Sequence, residues 1–169
     1  MGMMDTLKRS LSGSEPGTED ADILETLKQD HKDAADLLER LVESNSAAER
    51  KKLLAAIKST LVPHLRAEEK IVYDAVGALR GKEQHIHSAE GYREHALGDK
   101  TLGDLGKMTN PMSPEFSAAA KVLKELVEHH VEEEEKNIWS DVNEHFSEER
   151  RLELNRKFLA AKKRVKVPA

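Results

Sequence analysis

The sequence predicts an all-α fold: an antiparallel up-down-up-down four-helix bundle with an extra C-terminal helix. Three observations carry this expectation. Charged residues make up 35% of the 169 positions and aromatics 4%, with only 9 Gly and 5 Pro; a profile so rich in Ala, Leu, Glu and Lys suits helices. Four long segments repeat apolar residues at spacings of three and four, the period of one helix face. The connections between them are short, which sets successive helices side by side.

The elements follow in chain order. Residues 1–19, rich in Ser, Gly and acids, read as a disordered arm. The first helix starts near Asp20 or Asp22 and carries Leu24, Leu27, Ala34, Ala35, Leu38, Leu41 and Val42 on one face; "ESNS" ends it. The second runs from about Ala47 to Leu79 through Leu54, Ile57, Leu61, Ile71 and Ala75, with Pro63 bending it or removing one backbone hydrogen bond. A third, from about Lys82 to Leu105, contains Gly91, Gly98 and Gly103, each costing about 1 kcal/mol against Ala, and has the poorest intrinsic helicity. The fourth has Ser113 as N-cap and Pro114 at its first position, and runs through Leu123, Val127, Ile138 and Val142 to about His145. Ser147 then caps a short basic helix. The expected organisation is an arm at 1–19, a bundle at 20–146 and a basic C-terminal helix and tail at 147–169.

Several function classes are disfavoured. A net charge of −5 offers no broad surface to nucleic acid, and no such partner is expected. Without Cys there are no disulfides, iron–sulfur clusters or thiolate chemistry. No apolar run approaches the ~18 residues of a membrane span, so no membrane partner is expected. The first 20 residues hold no signal-peptide apolar region, and the cytoplasm is the default location.

One pattern occurs twice. "LVPHLRAEEKIVY" (61–73) and "VEHHVEEEEKNIW" (127–139) share H-x-x-x-E-E-K at a shift of 66 positions. Residues four apart in a helix face the same side, so His64 pairs with Glu68 and His130 with Glu134. Both pairs interrupt the apolar stripe instead of lying on the solvated face. A buried carboxylate without a partner costs several kcal/mol. Two on facing helices repel, and no Arg or Lys is evident on the same stripes. A metal ion between them is the economical answer; a purely structural polar layer is the alternative. His31 falls on the Leu24–Leu27–Leu38 stripe of the first helix, and His95 lies seven residues before Leu102 on the third. At about 1.5 Å per residue all six side chains reach one level, mid-bundle.

The other polar residues divide differently. Glu69 and Glu135 flank the pairs and read as solvated partners of Lys70 or Lys136, with exchange into the ligand set as the alternative. His129 points about 100° away from His130, and His85 and His87 lie off the His95 face. His145 reads as a cap of the fourth helix. Tyr92, one turn from His95, is either a ligand, a hydrogen-bond donor to one, or packing. The basic "RKFLAAKKRVK" either docks through Leu152, Leu154 and Phe158 or touches an anionic surface.

The ordered set His31, His64–x–x–x–Glu68, His95, His130–x–x–x–Glu134 resembles the hemerythrin-like, or HHE cation-binding, family over about residues 22–145. That resemblance implies a four-helix bundle holding two iron ions in a non-haem di-iron centre. It assigns imidazole ligands to His31, His64, His95 and His130 and carboxylate ligands to Glu68 and Glu134. The sequence departs from the oxygen-carrying members, which have H-x-x-x-H on the third helix; four residues before His95 stands Gly91. Where they have Asp five residues after the fourth-helix His, this chain has Glu135. Fewer imidazoles and more carboxylate make a harder site, better suited to a small diatomic ligand or peroxide reacting at iron, or to iron sensing, than to oxygen transport. Ferritin-like proteins use E-x-x-H instead. The readings left open are a di-iron sensor or binding protein for oxygen, nitric oxide or iron, a di-iron enzyme consuming peroxide or nitric oxide, and a metal-free helical interaction module. No protein partner is indicated.

Overall fold

A computed structural model describes residues 14–168. The expected arm falls largely on residues 1–13, outside that range. Its remainder turns onto the bundle, with Gly17 N donating to Thr26 Oγ1 (3.1 Å) and Asn155 Nδ2 to Thr18 O (2.8 Å).

Four polar caps set the helix starts. Asp22 Oδ1 accepts from Leu24 N (3.0 Å) and opens α1, Ile23–Glu43. Ser46 Oγ accepts from Glu49 N (3.3 Å) and opens α2, Ala47–Glu68. After α2 the chain makes a π-helical turn, Glu69–Tyr73, and a last α-helical turn, α3, Asp74–Gly77. The long helix α4 spans Lys82–Lys107. Ser113 Oγ accepts from Phe116 N (3.1 Å) and opens α5, Pro114–Lys136, with Pro114 at the first position. Next comes α6, Ile138–His145, and then α7, Glu148–Arg164, capped by Ser147 Oγ accepting from Arg150 N (3.2 Å).

The chain is a helical bundle with an extra C-terminal helix, and two expectations need correcting. The second helix does not run as one α-helix to Leu79. Asp74 N donates to Glu69 O, an i→i+5 bond that widens one turn. The fourth helix is broken at Asn137, whose backbone leaves ideal helical values (φ −93°, ψ −59°) before α6 resumes. Helix α4 forms where expected, because the burial of Ser88, His95, Leu102 and Leu105 on one face outweighs its glycines. Pro63 lies within α2, which continues through it.

Apolar packing forms two clusters. Leu38, Leu41, Ile57, Leu105, Phe116 and Leu123 anchor one. Ile23, Leu27, Tyr73, Val142, Leu154 and Phe158 anchor the other, so α7 docks as a structural helix through Leu154 and Phe158. Leu152, also expected in that contact, is only half-buried. The basic face of α7 is tied down in part by Arg151–Asp22 (2.7 Å) and Lys162–Asp30 (2.6 Å). One basic residue does lie on the inner face of α2. Arg50 is buried and donates to Ser44 O (2.8 Å) and Pro111 O (2.7 Å), about 20 Å along the helix from His64. Among the described residues, no helix is long and apolar enough to cross a membrane.

Candidate metal centre

The six sequence-predicted side chains converge. His31 comes from α1, His64 and Glu68 from α2, His95 from α4, and His130 and Glu134 from α5; all six are buried, Glu68 completely (0% exposed). Glu68 Oε2 lies 3.5 Å from His64 Nε2, 3.2 Å from His95 Nε2 and 3.8 Å from His130 Nε2. Glu134 Oε2 lies 3.3 Å from His31 Nε2 and 3.2 Å from His130 Nε2. The donor atoms gather in two trios, His31–His64–Glu68 and Glu68–His95–His130, each within 4.8 Å, and Glu68 belongs to both.

The outer ring nitrogens are all engaged. His31 Nδ1 donates to Glu135 Oε1 (3.3 Å), His64 Nδ1 to Asp30 Oδ2 (3.0 Å), His95 Nδ1 to Glu69 Oε1 (3.0 Å) and His130 Nδ1 to Glu94 Oε2 (2.6 Å). Each acid is the chain neighbour of a central residue on one helix and serves the imidazole of the next. Asp30 beside His31 reaches α2, and Glu69 beside Glu68 reaches α4. Glu94 beside His95 reaches α5, and Glu135 beside Glu134 returns to α1. An ionised carboxylate only accepts, so the Nδ1 atoms carry the hydrogens and the Nε2 atoms face inward. Glu69 and Glu135, expected to be solvated, therefore belong to the site. Sequence reasoning missed Asp30 and Glu94 as well. The available signal was the acidic neighbour itself, about 100° round the helix and so aimed at the adjoining one.

Tyr73 was also missed. Its hydroxyl donates toward Glu68 Oε2 (3.2 Å) and lies 3.2 Å from His95 Nε2 and 3.3 Å from His130 Nε2, with the side chain fully buried. Gly91 makes room for it: a Cβ there would sit 2.6 Å from the Tyr73 ring. Tyr92, weighed as a ligand, points elsewhere: its hydroxyl donates to Asp74 Oδ1 (2.6 Å) and lies 3.1 Å from Glu69 O. His85 and His87 are likewise off the site, on Leu79 O (2.6 Å) and Asp141 Oδ2 (2.7 Å). His129 is exposed.

The electrostatics favour a positive charge at the centre. Burial alone would lower the His31 pKa, but Glu134 and Glu135 raise it to about 10. His64 and His130 move up in the same way against burial, chiefly through Glu68 for the first and Glu134 for the second. Burial pushes Glu68 upward, yet the surrounding imidazoles hold it well below the usual carboxylate range. Burial, Glu134 and Glu68 push the Tyr73 phenol well above its ordinary value. Protons thus stand where a cation would otherwise stand. They do not complete the site: Glu68 Oε1, both Glu134 oxygens and His31 Nε2 are buried with no hydrogen-bond partner. Carboxylate oxygens and imidazole nitrogens left open in this way fit a first-row divalent or trivalent metal ion.

Beside this layer lies a cavity of about 20 Å³, walled by Ala34, Leu61, Leu65, Gly98, Val127 and Val131 as well as the imidazoles. That is room for about one water-sized molecule. A larger open groove of about 880 Å³ reaches His31 and Glu135 from outside.

Residues 22–142 match the family model described as the hemerythrin HHE cation binding domain. The chain belongs to this family. Membership and the buried His/Glu cluster together point to metal binding. A curated relative from Nostoc sp. (strain PCC 7120), named DNA nickase, is 26% identical over 147 residues. That match takes in 87% of this chain but only 41% of the Nostoc protein, so the chain spans less than half the length of the relative it matches. No solved structure matches the chain.

Proposed function

We propose that this HHE domain is a non-haem di-iron protein that binds or senses a small ligand, either oxygen or nitric oxide, or iron itself. The observation that carries the reading is the pair of donor trios sharing Glu68. In this proposal His31, His64, His95 and His130 supply imidazoles, and Glu68 and Glu134 supply carboxylates. When bound, iron would supply redox change and an acceptor for a small ligand. The chain's own residues do the rest. The carboxylates on Nδ1 fix each ring with its Nε2 lone pair inward and make it more basic. The two apolar clusters on either side of the layer keep bulk water out. The small cavity beside the imidazoles, with room for about one water-sized molecule, would take part of a diatomic guest held at the metal. Elemental analysis with a visible spectrum of replete protein tests the reading, with about two irons per chain expected. A di-iron enzyme consuming peroxide or nitric oxide would use the same residues and differ by measurable turnover. A metal-free interaction module would instead take up no metal.

A second reading, action on nucleic acid, draws on the name of the Nostoc relative and on an open groove lined by Arg66, Lys70, Lys157 and Arg164. Opposing it are the net charge of −5 and the pairing of Arg66 with Glu69 (3.1 Å) and Lys157 with Glu153 (2.7 Å). Plasmid nicking by metal-loaded protein, lost in a Lys70→Glu/Arg164→Glu double variant, would support it. No nicking by the parent protein would remove it.

A further inference from the structure

We infer that Tyr73 is a seventh ligand of the centre, its phenol oxygen joining Glu68, His95 and His130 around one ion; this rests on the metal reading above. Consider the four atoms Tyr73 Oη, Glu68 Oε2, His95 Nε2 and His130 Nε2. The phenol oxygen is 3.2 Å, 3.2 Å and 3.3 Å from the other three. Those three are 3.2 Å, 3.8 Å and 3.2 Å from one another. All six separations are thus short, and the atoms are the corners of a closed cage. Bonds of about 2.0–2.1 Å, the range of nitrogen and oxygen ligands on zinc, would put the tetrahedral neighbours of one central ion about 3.3 Å apart, which is the size of this cage.

Hydrogen bonding does not account for it. A phenol has one hydrogen, and an ionised carboxylate has none. With His95 Nδ1 donating to Glu69 and His130 Nδ1 to Glu94, neutral rings present only lone pairs inward. One hydrogen then faces six close contacts. A proton on His130 Nε2 adds one more and still leaves most of them unbridged. A cation among the four atoms satisfies every contact.

The backbone is shaped to this end. An α-helix turns about 100° per residue, which would carry Tyr73 about 140° away from the face of Glu68, five residues before it. The π turn at Glu69–Tyr73 closes over five residues and brings the ring back beneath Glu68. Gly91 stands where the oxygen-carrying members of the family have an imidazole, and the Tyr73 ring occupies the space that its missing side chain leaves. A phenol from one helix thus replaces an imidazole from another. On coordination the O–H bond breaks, its electron pair goes to the ion and the proton leaves to solvent. The oxygen is a harder donor than the imidazole it replaces and favours the ferric state.

Resonance Raman spectroscopy of the ferric-loaded full chain, with iron per chain measured on the same samples, tests this. Phenolate ring vibrations enhanced within a visible charge-transfer band are expected in the parent and in Tyr92→Phe. They should be lost in Tyr73→Phe. Gly91→Ala, whose Cβ displaces the ring, should weaken them strongly, and it serves if Tyr73→Phe does not fold. Iron bound without phenolate vibrations, vibrations that persist in Tyr73→Phe, or loss in Tyr92→Phe instead would overturn the Tyr73 assignment alone. A chain that takes up no iron would overturn both it and the reading beneath it.

Discussion

Replacing Glu94 by Gln removes one charge from the ring of acids and leaves its shape intact. The His130 Nδ1–Glu94 Oε2 bond, at 2.6 Å, is the shortest of the four, and Glu94 is only 16% exposed. A hydrogen bond to a charged group contributes about 1.5–3 kcal/mol net and a neutral one about 0.5–1.5 kcal/mol. The swap should therefore cost about 1–1.5 kcal/mol of the support given to His130. Since 1.4 kcal/mol is about tenfold in an equilibrium constant, metal affinity should fall about tenfold. Loss of such partners elsewhere costs about 10–100-fold, so this estimate sits at the mild end. Competition against a chelator of known affinity reads the change directly. Glu90→Gln, one turn earlier on the same helix and exposed, is the control. Metal binding by Glu94→Gln within twofold of the parent, or equal weakening by Glu90→Gln, would refute a supporting role for the Glu94 carboxylate.

Other outcomes follow from the same geometry. Glu68→Ala should lose more metal than Glu134→Ala, because Glu68 belongs to both trios; equal losses in elemental analysis would argue against a shared carboxylate. Gly98→Leu should fill the adjoining cavity, where a Cβ meets nothing within 4 Å, and weaken nitric oxide binding to the iron-loaded protein with iron content unchanged. Nitric oxide affinity that stays the same would place the ligand elsewhere. Metal-free protein should be most stable between about pH 4.5 and 6.5. His31, raised from 6.5 to about 10, stabilises fully below 6.5 and loses that contribution as pH rises through 10. Glu68, held below 4.5, stabilises above that value and loses its contribution as pH falls through its folded value. Denaturant melts across pH would show the window, and a flat alkaline limb would contradict it. Hydrogen exchange should find α4 the segment most protected by added metal, because its glycines make its intrinsic helicity low. Equal protection in both forms would mean a preformed site.

Much of this was legible because caps and periodicity are local. Asp22, Ser113 and Ser147 announce helix starts by side-chain chemistry alone, and the bonds to Leu24, Phe116 and Arg150 form as that chemistry requires. His64, Glu68, His130 and Glu134 stood out because polar residues interrupt an apolar stripe. What stayed hidden depends on departures from the regular pitch. Tyr73 is off the face of Glu68 in any helix counted at 3.6 residues per turn, and only the π turn brings it inside. Nothing in "EEKIVYDAV" marks that turn. The acids on Nδ1 were hidden for another reason. Glu69 and Glu135 look solvated along their own helices, and only the neighbouring helix shows that each reaches an imidazole across the interface. Gly91 likewise read as a missing ligand until the packing showed what fills its place.

The central claim is that two donor trios joined by Glu68 hold two metal ions. The most direct measurement is the metal content of carefully iron-loaded full chain, counted per chain together with its Glu68→Ala variant. About two irons are expected in the parent and at most one in the variant. A parent that retains no transition metal, or a variant that retains the parent's full content, would contradict the claim.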